Sequence, residues 1–152
     1  MLKPKVLILC TGNTCRSQMA EGILRAAAGD ILDVHSAGAK PAGFVQPLAI
    51  KALAEIGIDI SQHKSKSLVP FLQENIDTII IVCAKADRDC PIFPGVKKCY
   101  YWPFYDPAHT KGSEEYRLQE FRRIRDKMKL KFDEYAADCR RELELVNAPF
   151  SF

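Results

Sequence analysis

The stretch Val6-Leu-Ile-Leu-Cys10-Thr-Gly-Asn-Thr-Cys-Arg16-Ser17 decides how this chain is read. An apolar run ends in a cysteine, a short glycine-containing loop follows, and an arginine and a serine open a helical pattern to Ala28. Strand, loop and helix in that order gather backbone N–H groups at the positive end of a helix dipole. Thr11, Gly12, Asn13, Thr14, Cys15 and Arg16 would hold a tetrahedral oxyanion there, Arg16 through its planar fork. The same field is expected to lower the Cys10 pKa and favour thiolate, with Ser17 donating a hydrogen bond to the sulfur. A sulfur facing a bound oxyanion is an arrangement for nucleophilic catalysis. The competing interpretation is a tight strand-to-helix turn with a buried, inert cysteine. The bare C-x5-R spacing does not separate the two. The strand before it, the Gly-Asn inside it and the helix after it favour the site.

Outward from this stretch, apolar runs alternate with helical patterns. Strands are expected at Lys5–Cys10, Asp33–Ser36, Thr78–Cys83 and Lys98–Trp102, and helices at Ser17–Ala28, Pro47–Ile56, Leu68–Gln73 and Ser113–Leu145. Strands separated by helices imply an α/β fold with a parallel sheet. The run Thr78-Ile-Ile-Ile-Val-Cys83 is continuously apolar and β-branched, as in a strand covered on both faces. On the last helix, Phe121, Ile124, Met128, Phe132, Tyr135, Cys139 and Leu143 make one apolar stripe, read as core. The chain of 152 residues is expected to form a single domain, 1–152, with a C-terminal helical extension from about residue 131.

A formal charge of +3 suits an anionic substrate but not a nucleic-acid surface, and no apolar stretch approaches membrane-spanning length. The short apolar run after Lys3 and Lys5 leads into Cys-Thr-Gly-Asn, not a cleavage site, so a cytoplasmic protein is expected. Cysteines stand at 10, 15, 83, 90, 99 and 139, too dispersed for a secreted disulfide scaffold. The spacings C-x4-C and C-x6-C lack the short knuckles of a structural zinc site, so no metal ligands are assigned.

The stretch Val6 to Gly22 resembles the low-molecular-weight protein tyrosine phosphatase superfamily and, within it, the thioredoxin-coupled arsenate reductases. Gln18-Met19 follow the Arg-Ser pair where the phosphatases usually carry a proline. The likeness continues through His35-Ser-Ala-Gly38, Gly57-Ile-Asp-Ile-Ser61, Cys83 to Pro91 and Trp102 to Pro107. It implies a four-stranded parallel sheet of order 2-1-3-4 flanked by helices in three layers, a switch point beside strand one, and a ligand there. It implies arsenate as substrate, phosphate and sulfate as competing anions, and thioredoxin or a similar dithiol as reductant. It implies no cofactor. Potassium is the one ion it raises, near positions matching Asn13, Glu21 and Ser36, with Lys66 standing where that site has a further Asp.

In an open parallel sheet the C-terminal ends of strands one and three share an edge, so Cys83 can approach the Cys10 loop. Cys90 follows within Cys83-Ala-Lys-Ala-Asp-Arg-Asp-Cys90-Pro91. The resemblance implies a relay in which Cys10, Cys83 and Cys90 exchange disulfides. It also makes Asp106, before Pro107, the general acid. The catalytic set is then Cys10, Arg16, Ser17, Cys83, Cys90 and Asp106. The alternatives are a phosphatase that hydrolyses phosphate monoesters through a cysteinyl-phosphate, and a non-catalytic redox sensor or anion-binding module. A phosphatase has no use for Cys83 and Cys90, and Ala108 stands where phosphatases commonly place an aromatic residue after the Asp-Pro. A bare binding module has no use for Asp106. Cys15 is expected to be a packed loop residue, and His35, His63 and His109 are assigned no role.

Overall fold

The computed structural model describes residues 2–84 and 93–148. Four parallel strands, β1 (Lys5–Cys10), β2 (Asp33–Gly38), β3 (Thr78–Ile81) and β4 (Lys98–Tyr101), form one sheet in the order β2-β1-β3-β4. Val6, Leu7, Ile8 and Leu9 are essentially inaccessible and all of β3 is buried. Both faces of these central strands are therefore covered, as a continuous apolar run demands. The register pairs Val6 with Val34 on one side and with Thr78 on the other.

Three α-helices lie among the described residues: α1 (Arg16–Ala28), α2 (Pro47–Ala54) and α3 (Glu114–Asn147). They pack on one another. Gly22 lets α1 approach the segment after α2, since a Cβ there would stand 2.6 Å from Ile60 Cγ2 and 3.0 Å from Leu53 Cδ1. Ser113 caps α3, its Oγ accepting from Tyr116 N at 3.1 Å. From α3, Leu118, Phe121, Ile124, Met128, Phe132 and Ala136 are buried. Phe132 meets Trp102 edge-on at 5.5 Å between ring centres and stacks on Phe104 at 6.5 Å. α2 is fastened to α3 by charge. Arg122 grips Glu55 through Nε and an NH2 at 2.6 Å, and Arg125 reaches Glu55 and the Ala52 carbonyl.

The sheet order and strand positions agree with expectation. Differences lie at the ends of elements. β3 stops at Ile81, so Val82 and Cys83 leave the strand, and β2 continues to Gly38. The expected helix at 68–73 is a 3-10 helix, Val69–Gln73, because Pro70 stands in its first turn and Phe71 is its one buried side chain. The apolar stripe of α3 fades beyond Phe132: Tyr135 and Cys139 are half-buried, only the small Ala136 is still buried, and Leu143 is exposed. At 34 residues the helix is about 51 Å long and outruns the sheet beneath it.

Candidate active site

The loop between β1 and α1 sits at the C-terminal edge of the sheet. The carbonyl oxygens of Thr11 to Thr14 are all engaged by residues beyond the loop. Thr11 O accepts from Lys40 N, Gly12 O from Ala42 N and Ser65 Oγ, Asn13 O from Gln18 Nε2, and Thr14 O from Gln46 N, at 2.8–3.1 Å. In a trans peptide the N–H points opposite to the carbonyl of the same plane. The amides of Gly12, Asn13, Thr14 and Cys15 thereby point away from those partners, to the inner side of the loop. One close approach makes this wrapping feasible. Gly38, at the end of β2, lies under the loop, and a Cβ there would fall 2.6 Å from Thr11 O.

Asn13 takes a left-handed backbone (φ 51°), a conformation asparagine tolerates better than most residues. It is fully buried and bonded on every side. Its Nδ2 donates to Ser17 Oγ (2.8 Å) and Ser36 Oγ (2.9 Å), and its Oδ1 accepts from Gln18 Nε2 (2.9 Å) and Lys66 N (2.8 Å). Ser17 Oγ accepts from Asn13 Nδ2, which ties it into the network that braces the loop and leaves its own O–H to donate elsewhere.

Arg16 closes the front of the loop. Its NH1 donates to Phe104 O at 3.2 Å and its NH2 to Asp106 Oδ2 at 3.3 Å. Its Nε is buried and has no hydrogen-bond partner among the described residues. A buried N–H without an acceptor is costly, so this donor fits an oxyanion. Asp106 Oδ1 accepts from Ala108 N (3.0 Å), which fixes the carboxylate at the loop mouth. His109 Nε2 stands 3.3 Å from Asp106 Oδ2. The sequence assigns His109 no role, although the Asp-x-x-His spacing on a one-turn helix is a signal for this contact.

Cys10 is buried, 4 % exposed, and Cys83 is 1 % exposed. Their side chains are in hydrogen-bond contact, and Cys83 Sγ also lies 3.5 Å from Thr11 Oγ1. This corrects the expected pKa direction. Cys10 is raised above an ordinary thiol, first by the hydrogen bond to Cys83 and then by burial. Arg16 and the Thr11 amide act downward, as the loop sequence implies, but do not prevail. Two thiols in contact resist losing both protons. Cys15, 3 % exposed, is raised by burial and packs in the core. Cys99 is exposed on the edge strand. Cys90 lies outside the described residues.

Behind the loop, Glu21 is 3 % exposed. Arg25 NH1 (2.9 Å) and His63 Nδ1 (3.3 Å) face its Oε2, and Lys66 Nζ (3.3 Å) faces its Oε1. Burial pushes the Glu21 carboxyl up, but Ser36, Lys66, Arg25 and His63 together hold it below its usual value. His63 is lowered, chiefly by burial, and its Nδ1–H donates to Gln18 Oε1 at 3.1 Å. The contribution of Gln18 and His63 was not foreseen, because they lie 45 residues apart. Among the described residues no group of three or more His, Cys, Asp or Glu could hold a metal ion, and no helix is long and apolar enough to cross a membrane.

The low molecular weight phosphotyrosine protein phosphatase family model matches residues 5–145. An arsenate reductase of Halalkalibacterium halodurans is 44 % identical over 128 residues, 84 % of this chain and 91 % of that protein. The solved structure of an arsenate reductase in the phosphate binding state superposes with a TM-score of 0.73 at 28 % identity, covering 89 % of this chain and 98 % of that one. A thioredoxin-dependent arsenate reductase of Corynebacterium glutamicum superposes with a TM-score of 0.71 at 26 % identity, covering 93 % of this chain and 64 % of that one.

Proposed function

Since the chain belongs to the low molecular weight phosphotyrosine protein phosphatase family, we propose that it applies the family's oxyanion loop to the reduction of arsenate to arsenite. The observation that carries this reading is the Cys83 thiol set against Cys10. Hydrolysis of a phosphate ester needs one sulfur; a two-electron reduction needs two.

Arsenate seats on the inward amides and on Arg16. Cys10 passes its proton to Asp106, and the thiolate attacks arsenic. Asp106 hands that proton to an arsenic-bound hydroxyl, which departs as water. Cys83 thiolate then attacks the Cys10 sulfur of the adduct. The sulfur–arsenic bond breaks with its electron pair going to arsenic, so arsenic(V) becomes arsenic(III) and the two thiols become a disulfide. Cys90 attacks Cys83, freeing Cys10 and leaving Cys83–Cys90. An external dithiol restores both thiols by the same exchange chemistry. The likeness to a thioredoxin-dependent reductase supports thioredoxin for that role. A compartment that keeps thiols reduced, the cytoplasm, suits this cycle. The family match over 5–145 supports reading the chain as a single domain; it takes in most of the helix beyond about 131 and so does not set that helix apart as an extension.

Disulfide mapping by mass spectrometry after one turnover with arsenate and no reductant tests the relay. The expected product is Cys83–Cys90 with Cys10 reduced, and a Cys90→Ser protein should stop at Cys10–Cys83. Sustained thioredoxin-dependent turnover by Cys90→Ser, or vigorous aryl phosphate hydrolysis without arsenate reduction, would overturn it in favour of the phosphatase. Phosphate and sulfate are expected to compete with arsenate, because the loop reads shape and charge.

A further inference from the structure

The carboxylate buried behind the loop is already neutralised. Glu21 carries one negative charge, and the ammonium of Lys66 and the guanidinium of Arg25 both bear on it, at 3.3 and 2.9 Å. The oxygens around it are committed too. Both acceptor sites of Asn13 Oδ1 are filled, by Gln18 Nε2 and Lys66 N. Ser36 Oγ accepts from Asn13 Nδ2 and also hydrogen-bonds Glu21. A potassium ion needs several oxygens with free lone pairs and an excess of negative charge. The donor set here has neither, so the residues do not fit the ion.

The Lys66 ammonium has the surroundings such an ion would have. Its Nζ lies 3.3 Å from Glu21 Oε1 and 3.1 Å from the Lys64 carbonyl. The same residue reaches the loop through its backbone. Its N–H donates to Asn13 Oδ1, and its carbonyl accepts from Gly38 N at 2.8 Å. It thus ties together Glu21 on α1, Asn13 in the loop and Gly38 at the end of β2. These are the points that hold the loop in its left-handed turn.

We infer that Lys66 is a positioning residue that serves as a tethered cation, bracing the anion-binding loop against Glu21 and making the protein independent of free alkali ions. The inference rests on the loop being the anion site. Phosphate binding is therefore measured apart from arsenate turnover, so that failure of the reductase reading leaves it decidable.

The test uses the reduced full-length protein in potassium, sodium and choline chloride at equal ionic strength. Wild type should show one melting temperature, one phosphate Kd and one arsenate KM in all three salts. Lys66→Asp places a second carboxylate beside Glu21 and leaves one fixed cation for two anions. In choline its phosphate Kd and arsenate KM should rise several-fold with a smaller change in kcat. Potassium should reverse this saturably and raise the melting temperature. Lys66→Gln, which keeps the backbone bonds without the charge, should weaken phosphate several-fold in every salt, and Lys66→Arg should restore most of the loss. A saturable, potassium-specific stabilisation of wild type would overturn the inference. So would Lys66→Gln binding phosphate as tightly as wild type, which decides the matter even where Lys66→Asp does not fold.

Discussion

Cys10 and Cys83 share one difficulty: a sulfur hydrogen-bonded to a second thiol gives up its proton less readily. Removing the neighbour should therefore release the nucleophile. In Cys83→Ala the pH at which Cys10 begins to react with iodoacetamide should fall, because the largest cause raising Cys10 is gone while Arg16 still acts downward. Site-resolved alkylation across pH 6–10 (about the ordinary thiol range) checks this; an unchanged or higher onset would show that burial alone sets the thiol. The same variant should form the arsenic adduct but release no arsenite. Arg16→Lys should lose about 100-fold or more in kcat/KM, since an ammonium cannot serve Phe104 O, Asp106 and an oxyanion from one planar fork. Steady-state kinetics with a folded control by circular dichroism decides that case.

At the scale of elements, the site depends on how closely β2 passes beneath the loop. Gly38→Ala would drive a Cβ to 2.6 Å from Thr11 O, a contact that only a shift of backbone relieves. Overpacking of this kind costs about 1–3 kcal/mol, and phosphate affinity should fall along with the urea midpoint. Affinity unchanged at lowered stability would show that the loop moves without losing its shape. The β1–loop–α1 unit was legible because its parts adjoin in the chain: an apolar run, Gly-Asn and an Arg-Ser start name their own structure. The sheet order came from resemblance, since periodicity carries no information about neighbours. The brace behind the loop was not legible as a whole. Gln18, Ser36, His63 and Lys66 are ordinary polar residues until folding sets them around Asn13 and Glu21. Nor did the sequence show that Cys10 would be raised, because a local reading sees Arg16 and the helix but not a thiol 73 positions away.

Across the whole molecule, the helical layer is held by apolar contact and by charge, and the two are separable. Phe132→Ala should cost about 3–5 kcal/mol in urea denaturation, because a fully buried ring between Trp102 and Phe104 leaves a cavity. The Glu55 pairing acts through pH. Arg122 chiefly, with Arg125, holds the Glu55 carboxyl at about 2, below the ordinary 4.5. Its contribution is present above 4.5 and is lost as pH falls toward about 2. Between those values wild type should lose more melting temperature than Glu55→Gln; equal losses would mean that the pair adds nothing. The sheet has a consequence of another kind. Neighbouring strands stand about 4.8 Å apart, and a disulfide accepts Cα separations of about 4.4–6.8 Å. The backbone ladder and the sulfur bridge are commensurate, so the sheet works as a ruler. Leu9 faces Ile81 across that ladder, and Cys10 and Cys83 follow within two residues. A slip of β3 by one residue would displace Cys83 by about 3.3 Å. The isoleucines that lock the register, far from any chemistry, thus set whether one sulfur can reach the other.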